Sequence, residues 1–237
     1  MFQPASMAVV SRSEMCSNSC GMTVAEDLFE RYCHERDIEI RRLEECFLKT
    51  PDYEIQVGQL VAAVEIKQLE PNAEDKEVIE QLRQRHAAAH WENMERPRHS
   101  IHDAVKQLRT YTRRTPRPMP AIVVLFDTLG GLLGYLDSDN IARCMYGAEC
   151  LHFGQDDLEF LGASLGGRRI ATEEHNTTLS AVAVLRFERS AKQLSLTVFH
   201  NKFAALPIAP SDLRVPDVTH FSYLAEGPQT LPRWVKV

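Results

Sequence analysis

The sequence lacks any long uninterrupted apolar run. A membrane-spanning helix needs about 18 or more such residues, and no stretch of this chain approaches that length. The longest apolar stretch near the N-terminus is MAVV at 7–10, which is too short for the core of a secretory signal. We therefore predict a disordered tail without a targeting role at 1–22, no membrane partner and a cytoplasmic protein.

Motifs for disulfide, zinc or nucleotide chemistry are also missing. The six cysteines include no C-x-x-C, and a chain of 237 residues needs no disulfide framework, so we expect reduced thiols. Neither the phosphate-binding pattern G-x-x-x-x-G-K-[ST] nor the dinucleotide pattern G-x-G-x-x-G occurs, and the pairs Gly130-Gly131 and Gly166-Gly167 fit neither. These absences argue against a nucleotide-handling enzyme of either type.

Positive charge is scarce overall but concentrated in one segment. The net charge is −6, which disfavours a surface coated with positive charge for nucleic acids. Between Arg83 and Arg117, however, nine Lys or Arg stand against the three acids Glu92, Glu95 and Asp103. This segment is compatible with local binding of phosphates; a solvated helical face is the alternative.

The first half of the chain has clear helix and strand patterns. Residues 24–36 predict a helix, with Thr23 as N-cap and Glu26 completing a capping box. A short strand is expected at 38–43. A charged helical insert then spans about 69–98 and ends at Pro97, a second helix runs from Ile101 to about Arg114 with Ser100 as its N-cap, and AIVVLFD at 121–127 is typical of a buried strand.

Residues 52–67, DYEIQVGQLVAAVEIK, predict a hairpin around Gly58-Gln59. In this register paired positions sum to 117, so Asp52 lies opposite Glu65. One face is wholly apolar, whereas the other brings Asp52, Glu65 and Lys67 together. Two facing carboxylates raise each other's pKa unless a cation neutralises them. Mg²⁺ prefers such oxygen ligands, and a nearby lysine suits hydrolysis of a phosphodiester.

Asp52 after Pro51, twelve intervening residues and then Glu65-Ile66-Lys67 resemble the signature of the PD-(D/E)xK nuclease superfamily. Gln107 and Tyr111 resemble the QxxxY motif of its RecB-type branch. The resemblance covers residues 24–127, about half of the chain. It implies an α/β, restriction-endonuclease-like αβββαβ core at 23–127 with a mixed central sheet, and leaves a strand-containing C-terminal extension at 128–237 packed on that core.

The resemblance also implies an activity and a set of site residues. The expected reaction is Mg²⁺- or Mn²⁺-dependent hydrolysis of DNA, with RNA, endo- or exonuclease action and a homodimer left open. The catalytic residues would be Asp52, Glu65, Lys67, Gln107 and Tyr111. The metal would be held by Glu26, Asp52, Glu65 and the Ile66 carbonyl, with Glu30 the other candidate on the first helix. DNA would contact Arg109, Arg113 and Arg114.

Each of these residues also has a structural interpretation. Asp52 suits a turn, Glu65 and Lys67 a solvated strand, and His99 and His102 the start of a helix. Branches of the superfamily that hold an iron–sulfur cluster use three cysteines after the core, whereas only Cys144 and Cys150 follow it here, so we expect no cluster. The competing hypothesis for the whole chain is an inactive module of the same fold that binds nucleic acid or a protein.

In the C-terminal region, Leu179–Phe187 and Leu194–His200 alternate well enough to predict an antiparallel pair, with His200 and Asn201 closing a strand. A proline-containing, loop-rich tail is expected after them.

Overall fold

The computed structural model describes residues 21–44, 50–85, 95–155, 159–188, 190–224 and 233–237. Positions 1–20 of the expected tail and Cys46 lie outside these ranges. The helices are α1 (Val24–His34), α2 (Ala73–Arg85), α3 (Glu95–Thr112) and α4 (Ser138–Tyr146). None of the described helices has the length and apolar character needed to cross a membrane.

The strands form one large mixed sheet and one small hairpin. They are β1 (Glu39–Arg42), β2 (Tyr53–Val57), β3 (Leu60–Leu69), β4 (Ala121–Asp127), β5 (Glu149–Phe153), β6 (Phe160–Leu165), β7 (Leu179–Glu188), β8 (Gln193–His200), β9 (Val218–Leu224) and β10 (Arg233–Lys236). The described residues of the large sheet follow the order β1-β2-β3-β4-β7-β8-β9-β10, and β5 pairs only with β6.

Strand directions change along the large sheet. The pairs β1/β2 and β2/β3 are antiparallel, β3/β4 and β4/β7 are parallel, β7/β8 is antiparallel, β8/β9 is parallel and β9/β10 is antiparallel. Strands from 128–237 therefore continue the sheet begun by the first half of the chain. The predicted mixed α/β class and the antiparallel pair of β7 and β8 are confirmed.

The two faces of the sheet are covered by different helices. Helix α1 packs on one face through Leu28, Phe29, Tyr32 and Cys33, against β2, β3, β4, β7 and β8. Helices α3 and α4 pack on the other face, over residues of β3, β4, β7, β8 and β9. Strand β4 is buried at every position because it is central and covered on both sides.

Local sequence explains the elements that lie beside the candidate site. The Thr23 hydroxyl accepts the Glu26 N–H and the Glu26 carboxylate accepts the Thr23 N–H, as the predicted capping box requires. The predicted hairpin register is confirmed by Val57 opposite Leu60. Gly58 has φ 57° at this turn, a backbone conformation that glycine adopts without steric cost.

Two expectations were wrong. Helix α3 begins at Glu95, so Ser100 lies inside it and Pro97 does not end the insert. Proline is compatible with a first helical turn, where its missing N–H would have no partner within the helix. The expected loop-rich tail also contains β9 and β10, which extend the sheet there.

Candidate active site

Asp52 immediately precedes β2 and is tied to β3 through its side chain. Its Oδ2 accepts the backbone N–H of Ile66 at 2.6 Å. Its backbone carbonyl accepts the N–H of Leu43 at 2.9 Å, which extends the pairing of β1 with β2 by one step. Asp52 therefore joins three neighbouring segments of the sheet and places a carboxylate at the end of the hairpin.

Glu65 and Lys67 lie on the face of β3 that is covered by α3. The Lys67 Nζ donates to Glu65 Oε1 at 2.6 Å and to Gln107 Oε1 at 3.2 Å. The Glu65 residue is only 1% exposed, whereas the Lys67 side chain is 27% exposed. Lys67 thus lies between a buried carboxylate and solvent, and its bond to the side-chain amide of Gln107 on α3 limits its movement. We call Asp52, Glu65 and Lys67 the acid–lysine site.

Burial and nearby negative charge disfavour ionisation of the two acids. Burial, followed by the nearby charge of Asp52, raises the pKa of Glu65 to about 7, although Lys67 opposes the shift. Burial also raises the pKa of Asp52, against the effect of the Ile66 N–H. A cation between the two carboxylates would favour their charged forms.

The donor atoms suit a hard divalent cation. Within the part of the chain that the structure describes, Glu65 Oε2 is buried without a hydrogen-bond partner. An unsatisfied buried carboxylate oxygen is costly unless a ligand occupies it. The Ile66 N–H faces Asp52, and the N–H and carbonyl of one residue in a strand point to the same side, so the Ile66 carbonyl is directed to that side too. These oxygens match the ligands that Mg²⁺ and Mn²⁺ prefer.

The first-helix acids are occupied by other contacts. Glu26 accepts the Thr23 N–H through one oxygen and forms a 3.0 Å ion pair with Arg42 through the other. Glu30 accepts the Tyr53 hydroxyl at 2.7 Å. Among the described residues, no three His, Cys, Asp or Glu side chains converge as a metal site. The structure therefore brings together Asp52 and Glu65, without Glu26 or Glu30 as a third carboxylate.

Tyr111 lies next to the acid–lysine site but contacts a different residue. Its hydroxyl donates to Glu54 Oε1 at 2.5 Å, and Arg41 forms an ion pair with the same carboxylate. These contacts lower the pKa of Glu54, although burial opposes them. Glu54 lies two residues from Asp52 and therefore on the same face of the hairpin, although the motifs in the sequence assign it no role. The alternation that put it there was the available signal.

The predicted DNA-binding arginines separate into two groups. Arg109 is half-buried and donates to Asn176 Oδ1 at 3.3 Å, whereas Arg113 and Arg114 are exposed just after α3. Arg109 faces an open cleft between α3 and the segment 168–176, which we call the basic cleft. Its lining residues are Arg98, His99, His102, Arg109, Arg168, Arg169, Ile170, His175 and Asn176. At 100° per residue, the stripe of Arg98, His102 and Arg109 and the stripe of Gln107 and Tyr111 flank the buried stripe of α3 on opposite sides.

The histidines and cysteines outside the site have structural positions. His99 and His102 line the basic cleft. The side chains of Cys33 and Cys144 are buried, and that of Cys150 is exposed. His200 is the last residue of β8, as predicted, and its Nε2 lies 3.0 Å from Nδ1 of His220.

In comparisons with known proteins, no family model, no curated protein and no solved structure matched this chain.

Proposed function

We propose that the protein is a divalent-metal-dependent nuclease of the PD-(D/E)xK type that hydrolyses DNA phosphodiester bonds. The observation that carries the proposal is the buried carboxylate of Glu65, with Lys67 bonded to it and the half-buried Asp52 beside it at the end of the same hairpin. The element order also supports it. Helix α1, the antiparallel β1–β2–β3, helix α3 and the parallel β4 follow the αβββαβ order of a restriction-endonuclease-like core, with α2 as an insertion.

Asp52, Glu65 and the Ile66 carbonyl would hold one Mg²⁺ or Mn²⁺. When bound, the cation would polarise a phosphoryl oxygen and lower the pKa of water. The orphaned Glu65 Oε2 is the position at which the protein lacks a partner of its own. The raised pKa values of both acids indicate that cation binding competes with protons, so binding should strengthen as pH rises.

Lys67 contributes a fixed positive charge beside the reacting phosphate. Its bonds to Glu65 and Gln107 hold Nζ on the α3 face of β3. A charge held in this way stabilises negative charge that develops on a phosphoryl oxygen without reorganising during the reaction. Gln107 therefore acts as a positioning residue for Lys67.

Glu26 has an indirect part in this proposal. Its negative charge contributes to the raised pKa of Asp52, and its ion pair with Arg42 joins α1 to β1. Tyr111 holds Glu54 beside the site. The exposed Arg113 and Arg114 follow the same helix and are proposed to contact phosphates, which fixes the position of DNA without reading its sequence.

The alternative function is an inactive module of the same fold that binds nucleic acid or a protein. The buried, unsatisfied oxygen of Glu65 favours the enzyme, because a bound metal would supply the missing partner, whereas a module without a metal would leave the oxygen unsatisfied.

The two functions differ in one assay. Purified protein is incubated with circular DNA, linear DNA and RNA, in EDTA and with Mg²⁺ or Mn²⁺. We expect metal-dependent cleavage of DNA that disappears in Glu65→Gln and persists in Glu39→Gln, which changes an exposed carboxylate on β1. Binding without cleavage in any metal would support the inactive module and contradict the proposed function.

A further inference from the structure

The basic cleft is a second charged surface, separate from the acid–lysine site. It is open to solvent and has a volume of about 480 Å³. Of the described residues that line it, four are arginines, three are histidines and none is acidic. Because the whole chain carries a net charge of −6, such a concentration of positive charge marks a place where an anion is attracted.

The arginines are held from several elements. Arg168 forms a 2.8 Å ion pair with Glu95 at the start of α3, and its side chain remains 75% exposed. Arg169 donates to the carbonyls of Gly166 and Leu165, at 3.0 Å each. Arg109 is held by Asn176 from the segment before β7. Side chains anchored in this way lose little further freedom when an anion binds.

The loops that form the cleft contain unusual backbone. Arg168 has φ 62° and Asn176 has φ 57°, values that residues with a side chain adopt at a cost. Asn176 is kept there by a 2.6 Å bond from its Nδ2 to the Ile170 carbonyl. The loop before Arg168 is fixed by the close approach of Gly166 to the end of α4, where its N–H reaches the Ala148 carbonyl at 2.6 Å. Such conformations concentrate where a protein must aim particular groups.

The chemistry of the lining selects the kind of anion. Ile170 is the one apolar residue among the described lining residues, so the cleft has no apolar wall against which a base could be buried. Small-molecule sites are mostly apolar with few polar groups, which is the reverse of this arrangement. Guanidinium groups match phosphate oxygens in pairs, and the imidazoles of His99, His102 and His175 add further donors.

We propose that the basic cleft binds the phosphate backbone of DNA, without sequence preference, on the opposite flank of α3 from the acid–lysine site. The choice of DNA rests on the proposed function, whereas the recognition of phosphodiesters rests on the cleft itself. A DNA substrate that contacts both flanks lies across α3. The separation of the basic cleft from the acid–lysine site then determines the length of DNA that is needed on one side of the cut.

Binding is measured in EDTA, so that cleavage plays no part. A fluorescently labelled DNA duplex is titrated with the full chain over a range of salt concentrations. Arg168→Asn removes one charge and suits the positive φ, because asparagine tolerates this conformation. Lys192→Asn is the matched control, since Lys192 is exposed, has φ 51° and lies at the turn between β7 and β8. Arg109→Gln is the second cleft variant.

Each cleft variant should weaken DNA binding by roughly tenfold at low salt and reduce the slope of log affinity against log salt by about one unit. Lys192→Asn should match the wild type in both quantities. Inorganic phosphate and a mononucleotide should compete only weakly, because one phosphate replaces few of the backbone contacts.

Three results would overturn the proposal: no DNA binding, equal salt slopes in the cleft variants and in Lys192→Asn, or competition by inorganic phosphate as strong as that by DNA. Its failure is separable from that of the proposed function. Cleft-dependent binding in EDTA without cleavage in Mg²⁺ or Mn²⁺ supports the cleft and contradicts the nuclease. Metal-dependent cleavage, together with wild-type DNA binding by Arg168→Asn and Arg109→Gln, supports the nuclease and contradicts the cleft.

Discussion

Replacing Glu65 by glutamine should change how the stability of the metal-free protein depends on pH. The substitution removes the carboxylate charge and keeps an oxygen that can accept the bond from Lys67 Nζ. In the wild type, ionising Glu65 means placing a charge in a buried position beside Asp52, which is why its pKa rises to about 7. Glutamine does not ionise, so the variant avoids this cost.

The sign and the size of the effect follow from the pKa shift. The folded protein retains the Glu65 proton to a higher pH than the unfolded chain, so this group favours folding below pH 4.5 and its contribution is lost as pH rises through about 7. From 4.5 to about 7 the shift is about 2.5 units, and at about 1.4 kcal/mol per unit the loss is about 3 kcal/mol. Relative to the wild type, Glu65→Gln should therefore gain about 3 kcal/mol of unfolding free energy between about pH 4.5 and pH 8.

The measurement is chemical denaturation in EDTA, followed by circular dichroism at several pH values. The quantity of interest is the difference in unfolding free energy between the variant and the wild type. Both proteins contain His200, whose lowered pKa makes stability rise with pH and so opposes the effect of Glu65. Glu39→Gln is the control, because it makes the same carboxylate-to-amide change at an exposed position on β1. The denaturant slopes of the variants should agree, as expected when the folded states are alike.

A Glu65→Gln difference that is equal at the two ends of the pH range would refute the reasoning. Glu65 would then ionise like a solvated carboxylate, and its repulsion from Asp52 would not favour the binding of a cation.

Three further outcomes are expected. Lys67→Ala should lower the single-turnover cleavage rate by about 10²-fold or more while leaving Mn²⁺ affinity nearly unchanged; an equal loss of rate in Lys76→Ala, an exposed lysine on α2, would contradict a specific role. Tyr111→Phe removes the bond to Glu54 and should reduce cleavage more than DNA binding, and equal losses in the two assays would argue against this placement. Burial, followed by His220, lowers the pKa of His200 to about 4, so stability should fall by about 3 kcal/mol as pH drops from 6.5 to about 4, and a His200→Gln variant with the same acid dependence as the wild type would show that His200 is not responsible.

Local patterns were sufficient to predict the part of the fold that holds the acid–lysine site. The wholly apolar face in 53–66 favours a register in which one step of slippage would expose that face, so Asp52 and Glu65 could be paired from sequence. The capping box at Thr23 likewise fixed the start of α1, since it depends only on residues three apart.

The start of α3 was misplaced because proline was taken as the end of one helix, although it also suits the first turn of another.

Contacts between distant segments could not be predicted in the same way. Strand β9 buries neither face fully, so its sequence shows little alternation. The basic cleft depends on Arg168 and Arg169, which reach α3 only through the fold, and no spacing in the sequence reveals that meeting.

Calorimetric titration of Mn²⁺ tests most directly whether Asp52 and Glu65 form one cation site. Asp52→Asn is the informative variant, because its amide oxygen can still accept the Ile66 N–H while the charge is lost. We predict one Mn²⁺ bound per wild-type chain, with an affinity that increases as pH rises to about 7, and no measurable binding to Asp52→Asn. Equal Mn²⁺ affinity in the wild type and in Asp52→Asn would contradict the metal site and, with it, the proposed nuclease.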